Sequence, residues 1–334
     1  MKPKVQWGVL STANIGVKKV LPAMQRSERC EIAAIASRDL ATAQATAAKL
    51  GIPKAYGSYE DLLGDPEIEA VYNPLPNHFH VPWTVKAAEA GKHVLCEKPI
   101  SMTVAEAKEL LAVQKRTGKL IEEAFMVRTH PQWEKAIEIA QSGRLGTVRA
   151  VQGFFSYHNV DPQNIRNIRE YGGGGLMDIG CYLIYTSRIV FGQNPTRVVS
   201  VIEEDPKMQT DVLTSGLLDF PSGQATFTCS TQLVPYQRVQ IFGTKARLEV
   251  VIPFNAPPNR ACLIRVDDGS DLFGGSAETI EFPVCDQYSI QGDRFAASIR
   301  DGAPLPVSLE GSIDNMAVIE AVFRSAKSGN WEKP

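Results

Sequence analysis

The sequence has no marked excess of charge of either sign. It contains 35 Lys and Arg against 37 Asp and Glu, which gives a formal net charge of -2 at pH 7. Binding to nucleic acid or to an anionic membrane favours a basic patch, and the sequence contains no cationic block. We therefore expect neither partner. The apolar runs also fall short of the roughly 18 residues that a transmembrane helix needs, so no such helix is expected.

Cysteine and histidine are few and scattered. The six cysteines include no C-x-x-C pair, and the five histidines lack the spacing of zinc ligands, so we predict no metal site. Reduced thiols in a cytoplasmic protein are the favoured interpretation, and a structural disulfide is the alternative. Residues 1–7 contain no apolar stretch and no small-residue cleavage site. We therefore expect no secretory signal and a cytoplasmic location.

The 334 residues are enough for about two domains. The first part alternates strands with helices, which predicts a doubly wound parallel sheet of the Rossmann type. The second part is rich in strands joined by short turns such as 221–223, which predicts a mostly antiparallel open sheet. We therefore predict an α/β fold with a Rossmann domain over 1–123. An α+β substrate-binding and oligomerisation domain is predicted over 124–334.

The hydrophobic periodicity gives the predicted elements their bounds. The predicted strands cover residues 5–10, 31–36, 54–57, 70–73, 92–96, 148–157, 197–203, 212–219, 224–231, 238–242 and 246–252. The predicted helices cover residues 15–26, 41–50, 58–63, 81–90, 104–117, 131–142, 178–191 and 312–328.

The first strand is followed by an incomplete dinucleotide-binding fingerprint. The pattern G-x-G-x-x-G would place glycine at positions 11, 13 and 16, and only Gly16 is glycine. The small residues Ser11 and Ala13 still let backbone amides at a helix N-terminus approach a pyrophosphate. The motif alone is equally compatible with a plain strand–turn–helix connection. The residues predicted to bind the cofactor here are Ser11, Thr12, Ala13, Asn14 and Ile15.

The end of the second strand bears on the choice between NADP and NAD. Ser37 and Arg38 could bind a ribose 2′-phosphate, and Arg38 could do so with a forked contact. Asp39 could instead hold the ribose hydroxyls and admit NAD. Arg38 could also be a solvated residue at a helix start. We predict NADP as the cofactor and keep NAD open.

The next two strands also end in residues of interest. The strand at 70–73 is followed by a proline-rich stretch that would suit the rim beneath a planar ring; from it we assign Pro74, Leu75, Asn77 and His80 to the cofactor site. His80 could equally be a core histidine. The strand at 92–96 ends in Glu97-Lys98-Pro99, which would place an ammonium group where open α/β sheets bind ligands. A solvated Glu–Lys pair is the alternative, and Glu97 would either anchor the turn or contact the cofactor.

A run of four glycines at 172–175 precedes a predicted helix and could let the backbone pass close to a ligand. Asp178 and Tyr182 are four residues apart and so share one helix face, although Asp178 could simply be an N-cap. Tyrosine has a reference pKa of about 10, and an adjacent ammonium such as that of Lys98 would lower it. Lys98, Asp178 and Tyr182 are therefore the predicted catalytic set.

Together these motifs resemble the glucose–fructose oxidoreductase/inositol dehydrogenase/rhizopine-catabolism (Gfo/Idh/MocA) family over essentially the whole length. The resemblance is carried by Glu97-Lys98-Pro99, by the Pro-Asn-x-x-His run at 76–80, and by the glycine-rich run at 173–180. Residues 7–13 and 123–128 are similar to the branch of dimeric dihydrodiol dehydrogenases and NADP-dependent D-xylose 1-dehydrogenases. Tyr182 matches that branch, whereas many relatives have histidine there.

The resemblance implies that Lys98, Asp178 and Tyr182 line a substrate site beside the nicotinamide. It also implies that the open face of the C-terminal sheet joins copies of the chain into a homodimer or homotetramer. The polar loop before the glycine run would suit a polyol, although it could also be solvated; its residues are His158, Asn159, Asp161, Asn164, Arg166 and Arg169.

The expected function is that of an NADP-dependent sugar oxidoreductase. It would move hydride between the anomeric carbon of a D-xylose-like or D-glucose-like aldose and the nicotinamide, giving a lactone. Tyr182 would be the general base. The alternatives are a sugar-ketone or dicarbonyl reductase, a trans-dihydrodiol dehydrogenase and, from another class, a non-catalytic NADP-binding sensor.

Overall fold

The computed structural model describes residues 2–334, which form two compact units. The first unit comprises the residues up to 129 together with 286–313, and the second comprises 130–285 together with 314–334. The segment 286–313 therefore belongs with the N-terminal residues, although the intervening sequence belongs to the other unit.

The strands are β1 (Val5–Leu10), β2 (Cys30–Ala36), β3 (Lys54–Tyr56), β4 (Ala70–Asn73), β5 (His93–Cys96), β6 (Ile121–Glu123), β7 (Val148–His158), β8 (Arg197–Glu204), β9 (Asp211–Phe220), β10 (Gly223–Ser230), β11 (Gln232–Gly243), β12 (Arg247–Val250), β13 (Cys262–Asp267) and β14 (Glu278–Phe282). The helices are α1 (Leu21–Met24), α2 (Leu40–Leu50), α3 (Tyr59–Gly64), α4 (His80–Glu89), α5 (Val104–Thr117), α6 (Pro131–Gln141), α7 (Cys181–Phe191), α8 (Gln287–Asp301) and α9 (Leu309–Ser328). Single π-helical turns at Gly16–Val20 and Leu176–Gly180 lead into α1 and α7.

The first unit contains a parallel sheet with strand order β3-β2-β1-β4-β5-β6. This is the strand order of a Rossmann fold. Successive strands are added in one direction from β1 to β3 and in the other from β4 to β6, and such sheets bind ligands at this switch point between β1 and β4. The predicted α/β fold class is confirmed.

Both faces of the parallel sheet are covered by apolar side chains. Successive residues of a strand point to opposite faces, so two adjacent residues show the packing on each side. Val71 packs in a cluster that includes Leu62 of α3 and Leu110 of α5. The adjacent Tyr72 packs on the other side, in a cluster that includes Leu21 of α1 and Phe295 of α8. The sheet is therefore buried on both sides, and its polar chemistry is confined to the strand ends.

Helix α8 was not among the predicted helices, and its sequence explains why. Gly292 lies in its interior, where glycine weakens the helical pattern by about 1 kcal/mol. A Cβ at this position would lie 3.1 Å from the Cγ of Met24 and 3.3 Å from the Sγ of Cys30. The glycine thus lets α8 approach the core closely. Phe295 then packs on Trp7, with ring centroids 5.5 Å apart.

The second unit is built on a sheet with strand order β14-β13-β12-β11-β7-β10-β9-β8. Its pairs are antiparallel except β7 with β10, which is parallel. The predicted hairpin across 221–223 is present as β9 and β10, whereas β13 and β14 were not predicted. Helix α7 packs on β7 and β10, and α6 packs on β12 and β13.

Three further observations concern the described residues as a whole. Residues 2–334 contain no helix with both the length and the apolar character to cross a bilayer. They also contain no cluster of three or more His, Cys, Asp or Glu side chains arranged to hold a metal ion. None of the six cysteines in this part of the chain forms a disulfide.

Candidate active site

The connection after β1 adopts a conformation that a glycine of the dinucleotide fingerprint normally supplies. Ser11 has a φ of +83°, in the left-handed region that residues with a side chain rarely adopt. Its N–H donates to the carbonyl of Ala36 (3.0 Å) and its Oγ accepts from the N–H of Ala13 (3.2 Å). These bonds offset a backbone strain of about 1–3 kcal/mol. Helical turns begin at Asn14, so residues 11–15 present a helix start that favours a phosphate.

The connection after β2 contains an arginine available for an anion. Arg38 is exposed, and within residues 2–334 the structure gives its guanidinium no hydrogen-bond or ion-pair partner. The neighbouring Asp39 is the N-cap of α2 and accepts hydrogen bonds from the hydroxyl (2.5 Å) and the N–H (2.8 Å) of Thr42. These bonds hold the pKa of Asp39 below its usual value. A carboxylate engaged in capping is less suited to a ribose than the sequence alone suggested.

The connections after β4 and β5 are joined by His80. Its side chain is 1% exposed, with Nδ1 2.7 Å from the carbonyl oxygen of Pro99 and Nε2 2.7 Å from that of Leu75. Burial lowers the pKa of His80 to about 4, so the neutral ring donates to one of the two carbonyls. The ring therefore ties these connections together, and direct contacts of His80, Pro74 and Asn77 with a cofactor stay predictions.

Lys98 lies in the connection after β5, on a turn that Glu97 anchors. The N–H of Glu97 donates to the carbonyl of Asn73 (3.0 Å), and its Oε1 accepts from the hydroxyl of Tyr72 (2.6 Å). Lys98 itself is half-buried, and the peptide bond between Lys98 and Pro99 is cis. These contacts support the turn-anchoring role predicted for Glu97, and its predicted contact with the cofactor stays a prediction.

These connections all begin at one edge of the sheet. Leu10 is in register with Ala36, and Asn73 with Cys96, so four parallel strands end together. That edge offers a helix start, an arginine without a partner in the described residues and an ammonium group. The side chains present here fit a dinucleotide with an added phosphate.

The second unit contains a carboxylate held by two donors. Asp178 lies in the π-helical turn before α7. Its Oδ2 accepts from the hydroxyl of Tyr157 on β7 (2.7 Å) and from Nε of Arg166 (2.9 Å). Burial and the Asp178 charge raise the pKa of the Tyr157 hydroxyl, so that hydroxyl stays protonated and donates. The orientation of Asp178 is thereby fixed.

Tyr182 lies four residues further, in α7, and is 5% exposed. Its ring lies against Phe155 of β7 (centroids 6.2 Å apart) and Phe254 (5.4 Å). Phe155 and Tyr157 are alternate residues of one strand and so point to the same side of the sheet. Asp178 and Tyr182 both contact that side of the sheet, and aromatic rings restrict how the phenol can move.

Sequence reasoning missed Tyr157, because nothing in a strand pattern marks one tyrosine as the partner of a distant aspartate. Arg166 was predicted only as one of several polar loop residues. The loop is organised by Asn167, also missed, whose side chain is 3% exposed. Its amide donates to the carbonyl of Asp161 (2.8 Å) and to Oδ1 of Asn159 (3.3 Å).

The strand-end residues of the first unit fit a dinucleotide, and the family models place the chain in the class of NAD(P)-dependent oxidoreductases. Two family models match the chain: the oxidoreductase family with an NAD-binding Rossmann fold over residues 5–125, and the GFO/IDH/MocA C-terminal domain over residues 133–249. The chain belongs to the Gfo/Idh/MocA family, which confirms the resemblance.

Curated relatives and solved structures agree with this assignment. The chain is 40% identical to a D-xylose 1-dehydrogenase (NADP(+)) of Haloferax volcanii, over 97% of this chain and 98% of that protein. It is 32% identical to the trans-1,2-dihydrobenzene-1,2-diol dehydrogenase of Mus musculus, over 74% of each chain. The structure matches that of KijD10, a 3-ketoreductase from Actinomadura kijaniata in complex with NADP and TDP-benzene, with a TM-score of 0.89. That match has 27% identity and covers 96% of this chain and 98% of the other. The predicted cofactor class, NADP, is supported by these relatives.

Proposed function

We propose that the protein oxidises the anomeric carbon of a D-xylose-like or D-glucose-like aldose to a lactone, with NADP as the hydride acceptor. The observation that carries the proposal is the pairing of a fixed carboxylate with a phenol on one helix face. Asp178 is held by Tyr157 and Arg166, and Tyr182 is held by aromatic rings. Such a pair suits a polyhydroxylated substrate that must lose a hydroxyl proton. The xylose dehydrogenase relative supports the choice of an aldose.

When bound, NADP+ supplies the hydride acceptor for this oxidation, and NADPH supplies the donor in the opposite direction. Tyr182 takes the proton of the anomeric hydroxyl as the C–H bond breaks and the carbonyl forms. Lys98 donates a hydrogen bond to the same oxygen and stabilises the phenolate form of Tyr182. Asp178 accepts a hydrogen bond from a second sugar hydroxyl and so orients the ring.

The residues proposed to hold the cofactor are those of the strand ends. The backbone of residues 11–15 would bind the pyrophosphate, and Ser37 with Arg38 would bind the 2′-phosphate. The remaining predicted contacts would flank the nicotinamide; they are Pro74, Leu75, Asn77, His80, Glu97 and Lys98.

Reduction of a sugar ketone is the second candidate, and one observation favours it. Solved structures of the Actinomadura 3-ketoreductase include variants of one lysine and one tyrosine. Their separation along that chain equals the separation of Lys98 and Tyr182 here. The same proton-transfer set would then donate to the carbonyl oxygen instead of accepting from a hydroxyl.

A substrate panel distinguishes these functions. We expect the purified protein to reduce NADP+ in the presence of D-xylose or D-glucose, with lower rates for trans-diols. A faster oxidation of NADPH by ketones or dicarbonyls would instead favour the reductase. Tight NADPH binding without turnover on any member of the panel would overturn the enzymatic proposal in favour of a sensor.

We also propose that a second copy of the chain covers the open face of the second unit's sheet, as a homodimer or homotetramer. This face has a depression of about 490 Å³ lined by residues that include Phe154, Tyr236 and Arg238. Val201, on the same face, is 75% exposed. The lining combines aromatic rings with polar side chains, and exposed apolar side chains rimmed by polar residues commonly mark an interface. Sedimentation of the wild type as an oligomer, and of Phe154→Glu as a monomer, is the expected result; a monomeric wild type would contradict the proposal.

The absence of disulfides among the described cysteines supports a reducing compartment, and we propose a cytoplasmic location. Cell fractionation would test it, with recovery of the protein in the cytosolic fraction as the expected result.

A further inference from the structure

A buried carboxylate contacts the start of the helical segment that bears Asp178 and Tyr182. Asp211, the first residue of β9, is 4% exposed. Its Oδ2 accepts a hydrogen bond from the N–H of Leu176 (2.6 Å) and another from the hydroxyl of Thr214 (3.1 Å). Leu176 is the first residue of the π-helical turn that contains Asp178 and leads into α7. Asp211 thus performs the capping role that the sequence allowed for Asp178.

Part of the glycine run leaves the space that this carboxylate occupies. Gly174 has a φ of +119°, and a Cβ added there would collide with Oδ1 of Asp211. A Cβ at Gly173 would lie 2.5 Å from the carbonyl oxygen of Arg166. The sequence had suggested that these glycines let the backbone approach a ligand. In the structure, two of them are needed because protein atoms occupy the adjacent space.

We infer that Asp211 is a positioning residue, whose carboxylate fixes the first helical turn and thereby the orientation of Asp178 and Tyr182. This inference rests on the proposed function, in which those two side chains act on the substrate. A carboxylate at a helix start is favoured by the helix dipole, and its hydrogen bonds to N–H groups are stronger than those of a neutral acceptor. The ionised form should therefore hold the turn more firmly than the protonated form.

The surroundings of Asp211 bring the pKa of its carboxyl group toward the neutral range. Burial raises the pKa of Asp211 to about 6, and the bonds from Leu176 and Thr214 only partly oppose this. The titratable groups that face it from neighbouring strands are Glu204 of β8, whose charge raises the pKa further, Cys229 of β10 and Tyr157 of β7.

The direction in which folding stability changes with pH distinguishes a positioning role for Asp211 from a purely structural one. The folded-state pKa lies above the unfolded value of about 3.8. The stability that Asp211 contributes is therefore complete below that value and is lost as the pH rises through about 6. At neutral pH the ionised carboxylate costs stability.

The test is Asp211→Asn, which keeps the shape and one acceptor oxygen but removes the charge. We expect kcat for aldose oxidation to fall by about tenfold, the difference between a charged and a neutral hydrogen bond, with the KM for NADP unchanged. The wild type should lose activity below about pH 6, and this acid limb should be absent from the variant. The Tm at neutral pH should be equal or higher. The matched control is Asp219→Asn on the same strand, where the carboxylate pairs with exposed Arg197 (2.8 Å).

A second readout needs no turnover. Hydrogen exchange of the segment 176–182 at neutral pH should be faster in Asp211→Asn than in the wild type. An unchanged kcat, or a fall in Tm without faster exchange in this segment, would overturn the inference. If Tyr182→Phe also left turnover unchanged, the proposed function would fail instead, and hydrogen exchange would still decide the role of Asp211.

Discussion

Replacement of Tyr182 by phenylalanine is expected to lower kcat/KM for aldose oxidation by about 100-fold to 10,000-fold, which is the usual contribution of a general base. The ring contacts with Phe155 and Phe254 do not involve the hydroxyl, so the fold and the affinity for NADP should be preserved. Steady-state kinetics and NADPH fluorescence titration measure the two quantities. The matched control is Tyr236→Phe. Tyr236 lies on the open face of the second unit's sheet and is 47% exposed.

Lys98→Met should show a loss of similar size, because the lysine and the tyrosine are proposed to act on one proton. The double variant should then be little worse than either single variant, since groups that act as a unit have non-additive effects. Wild-type kcat/KM in either single variant would contradict the assignment of that residue. Additive losses would show that the two side chains act in separate steps.

Replacement of Arg38 by alanine is expected to lower kcat/KM for NADP by about 10-fold to 100-fold, while kcat/KM for NAD changes little. A charge-assisted contact with a phosphate contributes about 1.5–3 kcal/mol, and the guanidinium has no competing ion pair among the described residues. The effect should therefore appear as a change in the ratio of the two cofactors. Initial rates with each cofactor at saturating aldose measure this ratio.

Two controls sharpen the Arg38 experiment. Arg29→Ala removes an exposed arginine paired with Asp301 (2.6 Å) and should leave the ratio unchanged. Asp39→Asn should also change it little, because the carboxylate caps α2. A large loss of NAD-dependent activity in Asp39→Asn would show that Asp39 holds the ribose. Equal losses with both cofactors in Arg38→Ala would contradict a 2′-phosphate contact.

The parts of the site that the sequence could predict are local ones. Strands that alternate with helices predict a parallel sheet, and residues that follow its strands must meet at one edge; Arg38 and Lys98 follow from that rule. The shared helix face of Asp178 and Tyr182 follows from helix geometry alone. No long-range information enters either argument, and the common edge of the strand ends is visible in the register of β1, β2, β4 and β5.

The parts that could not be predicted depend on contacts between distant segments. Tyr157 and Asp211 contact the turn around 176–178 from two different strands, and neither has a sequence pattern that identifies its partner. Ser11 shows a related limit, because the G-x-G-x-x-G pattern cannot foresee that a serine takes the left-handed conformation. Helix α8 escaped prediction because Gly292 meets a packing demand of the first unit.

Deuterium at the anomeric carbon tests the central claim most directly. D-Xylose or D-glucose labelled at that carbon would be incubated with the protein and NADP+, and the reduced cofactor and the sugar product would be analysed by mass spectrometry and NMR. The account predicts one deuterium at C4 of the reduced nicotinamide and a lactone, or its hydrolysed acid, that has lost the label. Turnover that leaves the label on the sugar would contradict the proposed hydride transfer.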